Sequence, residues 1–337
     1  ADTITGGLGN DYIDAGTGRD TASYSTATVG VTVDLNLTIA QNTGGAGTDT
    51  LLSVENLTGS NFNDTLTGNG GSNVLNGGGG NDTLDGVGGT DTASYSGATV
   101  GVTVNLALTA AQNTVGAGTD TLKNLENLTG SNFNDTLLGN AGNNVLNGGV
   151  GVDTVSYANA ATGVTVNLGL TTAQNTVGAG TDTLLNMENL TGSNFNDTLT
   201  GNIGSNALVG GVGTDQLNGG AGIDTLTGGT GLDSFVFNTT LNATTNKDTI
   251  TDFNVVDDTL VLENAIFSKF TATGALPAGT FVSGAGAAAA DANDFLLYNT
   301  TTGTLSYDAD GNGAGAGVAV VTLVGNPALT VADFTII

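Results

Sequence analysis

Gly210-Gly211-Val212-Gly213-Thr214-Asp215 is followed by Gln216-Leu217-Asn218, and the same nine-residue phrase then runs twice more, through Gly219 to Asp224 and Gly228 to Asp233. The form Gly-Gly-x-Gly-x-Asp also stands at 6–11, 44–49, 77–82 and 148–153, with looser versions ending at Asp20, Asp91 and Asp120. Glycine permits the backbone angles of a tight turn. The three residues after each Asp suit a short strand whose middle position is apolar, as at Ile13, Leu84, Leu217 and Leu226. One such unit has a single inward side chain and cannot bury itself. Two units make an 18-residue coil, and coils stack. The expected fold is therefore all-β: a parallel β-roll, a solenoid of two sheets around a narrow core of Leu, Ile and Val.

A longer period contains these units. Tyr24, Tyr95 and Tyr157 are spaced by 71 and 62 residues, and Phe62, Phe133 and Phe195 repeat those intervals. The two intervals differ by nine, so one copy lacks a single nonapeptide. Each copy opens on an alternating stretch, Val31 to Leu35, Val102 to Leu106 or Val164 to Leu168, that puts two valines and a leucine on one face. Ala-Gln-Asn-Thr and a glycine turn ending at Asp49, Asp120 or Asp182 come next, and this extra length predicts a wider coil or a lateral protrusion. Glu-Asn-Leu-Thr-Gly-Ser-Asn-Phe-Asn-Asp then leads back to nonapeptides. The tyrosines beside the inserts suit packing or capping. The phenylalanines suit covering the roll or binding.

The nine-residue spacing continues through turns that lack the full motif. Glu55, Asp64, Asn73, Asp82 and Asp91 fall nine apart, so Glu55–Asn73–Asp91 should stack on one side and Asp64–Asp82 on the other. The second copy gives Glu126–Asn144 and Asp135–Asp153. The third gives Glu188–Asn206–Asp224 and Asp197–Asp215–Asp233, while Asp2–Asp20 has the 18-residue spacing near the start. Oxygen ligands thus stay in register, and Asn keeps an oxygen while lowering the charge. Parallel strands lie about 4.8 Å apart. Two carboxylates at roughly 5 Å repel by about 1–3 kcal/mol for effective dielectrics from about 80 to 20. Several such pairs rival a typical net stability of roughly 5–15 kcal/mol.

The composition points to what relieves that repulsion. With 31 Asp and Glu against 4 Lys and Arg, the net charge is -27. Such a chain repels nucleic acid and anionic lipid, and divalent cations are its natural partners. The absence of Cys excludes disulfides, and the absence of His removes the usual transition-metal ligand and the base of a serine-hydrolase triad. Paired aspartates resemble a glycosidase acid and base, but their periodic placement on turns favours metal ligation. No apolar run reaches the roughly 18–20 residues of a membrane-spanning helix. The start shows no basic region followed by an apolar stretch, so no N-terminal signal peptide is expected there. The incomplete coil at residue 1 leads to the expectation that further protein precedes it.

In this register the nonapeptides resemble the calcium-binding repeats of the RTX family. The resemblance implies several calcium ions held between turns of successive coils by aspartate carboxylates and backbone carbonyls. It extends to the C-terminal region of type I secreted bacterial proteins of the surface-layer or adhesin-like kind. Calcium accepts six to eight oxygens in flexible geometry, whereas magnesium demands a smaller octahedral shell. Folding is expected to follow calcium binding.

After Asp233 the pattern changes. Phe235-Val236-Phe237 and Thr259-Leu260-Val261-Leu262 read as strands, with Asp248, Asp252 and Asp257 as further candidate ligands. Residues 284–292, rich in Gly and Ala, suit a loop or short helix. Phe295 to Tyr298 and Thr304 to Tyr307 suit a hairpin, and Val318 to Val324 a buried strand. Asp308-Ala309-Asp310-Gly311-Asn312-Gly313 fits an ion or a simple polar turn. Ala319 at the twelfth position rules out an EF-hand.

The region resembles the β-rich terminal cap of RTX proteins, and Leu329 to Ile337 resembles the acidic-then-hydrophobic ending read by a type I secretion exporter. The expected organisation is repeat one over 1–95, repeat two over 96–157, repeat three over 158–237 and the cap over 238–337. The expected role is a secreted, non-enzymatic structural region at the cell surface, serving surface-layer or other homotypic assembly. The alternatives are the noncatalytic tail of an extracellular protease or lipase, and a solenoid that binds cell-surface glycans or ice.

Overall fold

The computed structural model describes residues 1–337. Short strands and turns account for nearly all of it, and the single helical element is a 3-10 turn at Val331–Asp333. Contacts group the chain into two compact units: Ala1–Ser156 with Thr172–Gln174 and Ala179–Met187, and Tyr157–Thr171 with Asn175–Gly178 and Glu188–Ile337.

In the first unit the chain climbs as a parallel β-roll, alternating between two faces. On one face the middle residue of each strand sits over that of the next, giving the column Ala22, Leu57, Leu75, Ala93, Leu128, Leu146 and Leu184. The opposite face stacks Ile13 on Leu51, then Val33, Leu66, Leu84 and Leu122, then Val104, Leu137 and Val155. None of these side chains is more than 6% exposed. Flanking strand positions, often Thr or Asn, point away from the core because successive side chains in a strand alternate. The three-residue strand is therefore as short as it can be while still burying one side chain.

The long inserts enter the stack as added rungs. Gln41–Gly44 runs antiparallel to Gly47–Leu52, and Gly47–Leu52 returns to parallel pairing with Tyr12–Asp14. The second insert repeats this, with Thr119–Lys123 parallel to Thr83–Asp85 and antiparallel to Gln112–Asn113. A buried glutamine fastens each one. Gln41 accepts from the Asp34 N–H at 2.8 Å and donates to its carbonyl at 3.0 Å, and Gln112 does the same to Asn105.

The missing nonapeptide has a geometric consequence. The first two inserts join the face that carries Ile13 and Leu84, but Thr181–Leu185 of the third pairs with Val145–Asn147 on the opposite face. Losing one unit removes one strand, and in a two-faced coil that reverses which face the next insert joins.

The second unit continues the same construction beyond the last nonapeptide. Leu190, Leu208, Leu226, Ile250 and Leu323 form one column. Val166, Leu199, Leu217, Phe235, Leu260 and Phe334 form the other. Parallel rungs thus persist into the C-terminal region before antiparallel strands join both sheets, the larger one ending on Phe281–Gly284 parallel to Leu296–Asn299. Gly274–Ala275 runs against Phe334–Ile336, and Thr304–Tyr307 runs against Val318–Leu323. The expected hairpin is present as Leu296–Asn299 with Thr304–Tyr307, whereas 285–292 contain no helix. Aromatic packing takes over here: Phe267 and Phe270 are buried against Tyr307 with ring centroids 5.1 and 6.1 Å away.

Leu66, fully buried between Val33 and Leu84, tests the columns. Its replacement by Ala should cost roughly 2–5 kcal/mol in urea unfolding measured with calcium present. Val212→Thr, at an exposed position, should stay within about 0.5 kcal/mol of the parent.

Candidate metal centres

The turns join the strands, and there the acidic residues line up. Along each side, turn carboxylates accept a hydrogen bond from the backbone N–H of the matching residue one coil earlier. On one side of the first unit these bonds run from Asp2 to Asp20 at 2.6 Å, Asp20 to Glu55 at 2.9 Å, Asn73 to Asp91 at 2.7 Å, Asp91 to Glu126 at 2.8 Å and Asn144 to Asp182 at 2.9 Å. The Glu55–Asn73 and Glu126–Asn144 steps are closed by the Asn side-chain amides, which donate to the glutamate carbonyls at 2.6 Å. The other side gives Asp11 to Asp49, Asp64 to Asp82, Asp82 to Asp120 and Asp135 to Asp153, all at 2.8–3.0 Å. The inserts therefore do not interrupt the columns, which cross them with sequence separations of 35 and 38 instead of 18.

In the second unit Asn206 donates to Asp224 and Asp224 to Asp248, while Asp197 donates to Asp215, Asp215 to Asp233 and Asp233 to Asp258. Glu188 offers its carbonyl to Asn206 at 2.6 Å. Asp258 was passed over in the sequence in favour of Asp257. The 25-residue step hid it, yet Asp258-Thr259-Leu260 repeats the Asp-Thr-Leu that follows the glycine turn at Asp82. Asp257 instead accepts from the Asn254 side chain. Asp252 accepts from the N–H groups of Gly228 and Gly229 at 3.0 and 2.8 Å. Asp308 and Asp310 stand apart from both columns. Asp308 is buried, and Asp310 accepts from Gly315 N at 3.0 Å.

A second ladder runs beside the first and was not singled out from the sequence. Asn10, Asn63, Asn81, Asn134, Asn143 and Asn196, each one residue before its turn Asp or Asn, accept a backbone N–H from the next coil at 2.9–3.0 Å. The two ladders run in opposite senses, so successive coils are stitched in both directions. The repeated Asn-Asp pair was the available signal.

The turns ending at Asp11, Asp20, Asp82, Asp91, Asp215, Asp224 and Asp233 are open on one side. Oδ2 of Asp11 is buried without a hydrogen-bond partner, and so, with the other oxygen occupied by the ladder, is Oδ2 of Asp20, Asp82, Asp91, Asp215, Asp224 and Asp233. An orphaned buried carboxylate oxygen is costly unless a cation meets it. The glycines shape the opening: Gly78 and Gly80 sit at φ +91 and +117, and a Cβ on Gly77 would collide with Asp82 Oδ2. No three acidic side chains converge anywhere. An ion here would thus combine carboxylates of successive coils with backbone carbonyls of the glycine turns, an all-oxygen set suited to calcium.

Other turns are closed. Ser60 donates to Asp64 through its N–H at 2.6 Å and its Oγ at 2.9 Å, and Val31 N donates to Oδ1 at 2.7 Å. Thr43 and Thr114 donate to Oδ2 of Asp49 and Asp120 at 3.0 and 3.2 Å. Tyr95 adds its hydroxyl to Asp120 at 3.2 Å, which accounts for its place beside the insert. Phe62, Phe133 and Phe195 stand 44–46% exposed on the turns and do not cover the core.

Burial pushes the carboxyls of Asp82 and Asp215 up to about 7, with neighbouring aspartates adding to the effect against the ladder hydrogen bonds. Asp224 rises to about 6, again chiefly through burial. Metal-free, the folded roll therefore holds protons that the unfolded chain releases above about 4. Stability in a chelator should fall as pH rises from about 4 to 7 and then level off. Calcium binding should weaken below about 7 as protons compete. Thermal unfolding followed by circular dichroism at pH 5 and 8, with chelator and with calcium, measures both trends.

The family model of the RTX calcium-binding nonapeptide repeat matches residues 1–22, 58–93, 126–158, 187–217 and 209–239. No curated protein matches the chain. The matched segments contain the strict turns whose carboxylate oxygens lack partners, together with several of the closed ones. The chain thus carries RTX repeats folded as a parallel β-roll, and its cofactor is calcium, bound at multiple sites.

Proposed function

We propose that this chain is a secreted structural region that folds on calcium outside the cell and supports surface-layer or other cell-surface assembly. The observation that carries the reading is the set of buried, partnerless aspartate oxygens stacked along both columns. They make the acidic roll unstable alone and stable with the ion. The ligands are distributed over the length of the roll, as suits an extended structural element. Calcium is scarce inside cells and abundant outside, so such a chain stays loose before export and sets afterwards.

The C-terminal segment fits the same order of events. Leu329, Phe334 and Ile336 are at most 5% exposed, and Phe334–Ile336 pairs with Thr259–Leu262. An exporter reading this acidic-then-hydrophobic ending would have to meet it before the chain folds. Assembly between copies is supported by apolar side chains that recur, exposed, on the inserts: Leu37 and Ile39, Leu108 and Val115, Leu170 and Val177.

Far-UV circular dichroism tests the calcium dependence. Exhaustive chelation should remove most of the β signal, and calcium should restore it at concentrations where magnesium does not. An unchanged spectrum would sink the proposal. In sedimentation experiments, calcium should drive association of the parent chain, and Leu108→Asn with Val115→Asn should reduce it.

A further inference from the structure

Apart from the insert turns 44–49, 115–120 and 177–182, whose positive φ falls on the first and fourth residues, the turns fall into two backbone classes, and the division does not follow the positions of the acidic residues. In the strict turns other than 44–49 the second and fourth residues have positive φ: +91 and +117 at Gly78 and Gly80, +118 and +148 at Gly211 and Gly213, and +92 and +144 at Gly220 and Gly222. Six other turns, 59–64, 68–73, 130–135, 139–144, 192–197 and 201–206, contain no residue with positive φ. Each carries Ser or Asn at the second position.

The side chains of these six turns complete the difference. Asp135 takes the Ser131 N–H on Oδ2 at 2.6 Å, and on Oδ1 it takes the Ser131 hydroxyl and the Val102 N–H, both at 2.7 Å. Asp197 has the same three bonds from Ser193 and Val164. Both oxygens that would face an ion are thus occupied by groups of their own turn and of the neighbouring coil. In the asparagine turns, Asn144 accepts from Asn140 N at 2.9 Å and donates its amide to the Glu126 carbonyl at 2.6 Å. Its Nδ2 takes up the Glu126 carbonyl, and its Oδ1, which stands beside Gly139 as the open Asp82 Oδ2 stands beside Gly77, is occupied by the Asn140 N–H.

We infer that these six turns take no calcium: serine and asparagine do there, by hydrogen bonds, what the ion does in the glycine turns. The roll then alternates ion-dependent blocks with ion-independent ones. The closed pair 59–73 separates the open turns ending at Asp11 and Asp20 from those ending at Asp82 and Asp91. The closed pair 192–206 precedes the open run ending at Asp215, Asp224 and Asp233. Each long repeat carries one closed pair, so each has a segment whose turns hold their shape before the ions arrive. The candidate ligands Asp64, Asn73, Asp135, Asn144, Asp197 and Asn206 become structural residues. The inference rests on the calcium reading above and narrows it to particular turns.

The test is a count of bound calcium per chain, by elemental analysis after dialysis at saturating calcium, with far-UV circular dichroism to confirm folding. Asp82→Asn should lose at least one ion, and Asp135→Asn should lose none. Ser131→Gly with Phe133→Gly rebuilds Gly-Gly-Asn-Gly-Asn-Asp at 130–135 and should gain at least one. Loss of an ion by folded Asp135→Asn overturns the inference and leaves the calcium reading standing. If Asp135→Asn does not fold, a count in the double variant equal to the parent's overturns it instead. A parent chain that binds no calcium fails the broader reading itself.

Discussion

The structure depends on how the chain satisfies a column of buried carboxylates. A coil of two three-residue strands has little apolar surface, and its turns make up most of its length. Holding one coil over the next brings acidic groups together at about the strand spacing, where their repulsion is comparable to much of a domain's net stability. Three devices answer it. The backbone N–H of the preceding coil occupies one oxygen along the columns, the asparagine before it returns a bond in the other direction, and the second oxygen either takes a local hydroxyl or is left without a hydrogen-bond partner, open to a cation.

The apolar columns have a different task. A single Leu or Val per strand, directly above its neighbour, fixes the phase of the coil. A slip of one residue would turn a flanking residue, often Thr or Asn, inward and the core residue outward. This explains why the same geometry survives the inserts. Gly47–Leu52 and Thr119–Lys123 arrive after long excursions and still place Leu51 and Leu122 in the column. It also explains the gradual change at the C-terminus, where Phe235 and Phe334 occupy column positions before the antiparallel strand Gly274–Ala275 ends their sheet.

Much of this was legible because the architecture is nearly one-dimensional, so a contact between coils becomes a fixed sequence interval. The 18-residue interval placed Asp64 against Asp82 and Asn206 against Asp224, and the apolar middle residue identified each strand. Legibility failed where the interval changed. Asp20 meets Glu55 after 35 residues and Asp82 meets Asp120 after 38, because an insert lies between them. Asp258 was missed because the step to it is 25. Gln41 and Gln112 gave no signal, since a buried amide pairing with a backbone edge looks in sequence like any polar loop residue.

The sequence by itself determined the repeat, the two-faced parallel roll, the acidic turns and the kind of ion they suit, because each follows from the residue types within one period. Only the tertiary structure decided which turns are open and which are closed. Asp82 and Asp135 occupy equivalent places in the pattern, yet one has a buried oxygen without a partner and the other has both oxygens bonded. The difference lies in the backbone angles that glycine allows and serine avoids. It also lies in which N–H of a neighbouring coil reaches the carboxylate, and that contact exists only once the coils are stacked.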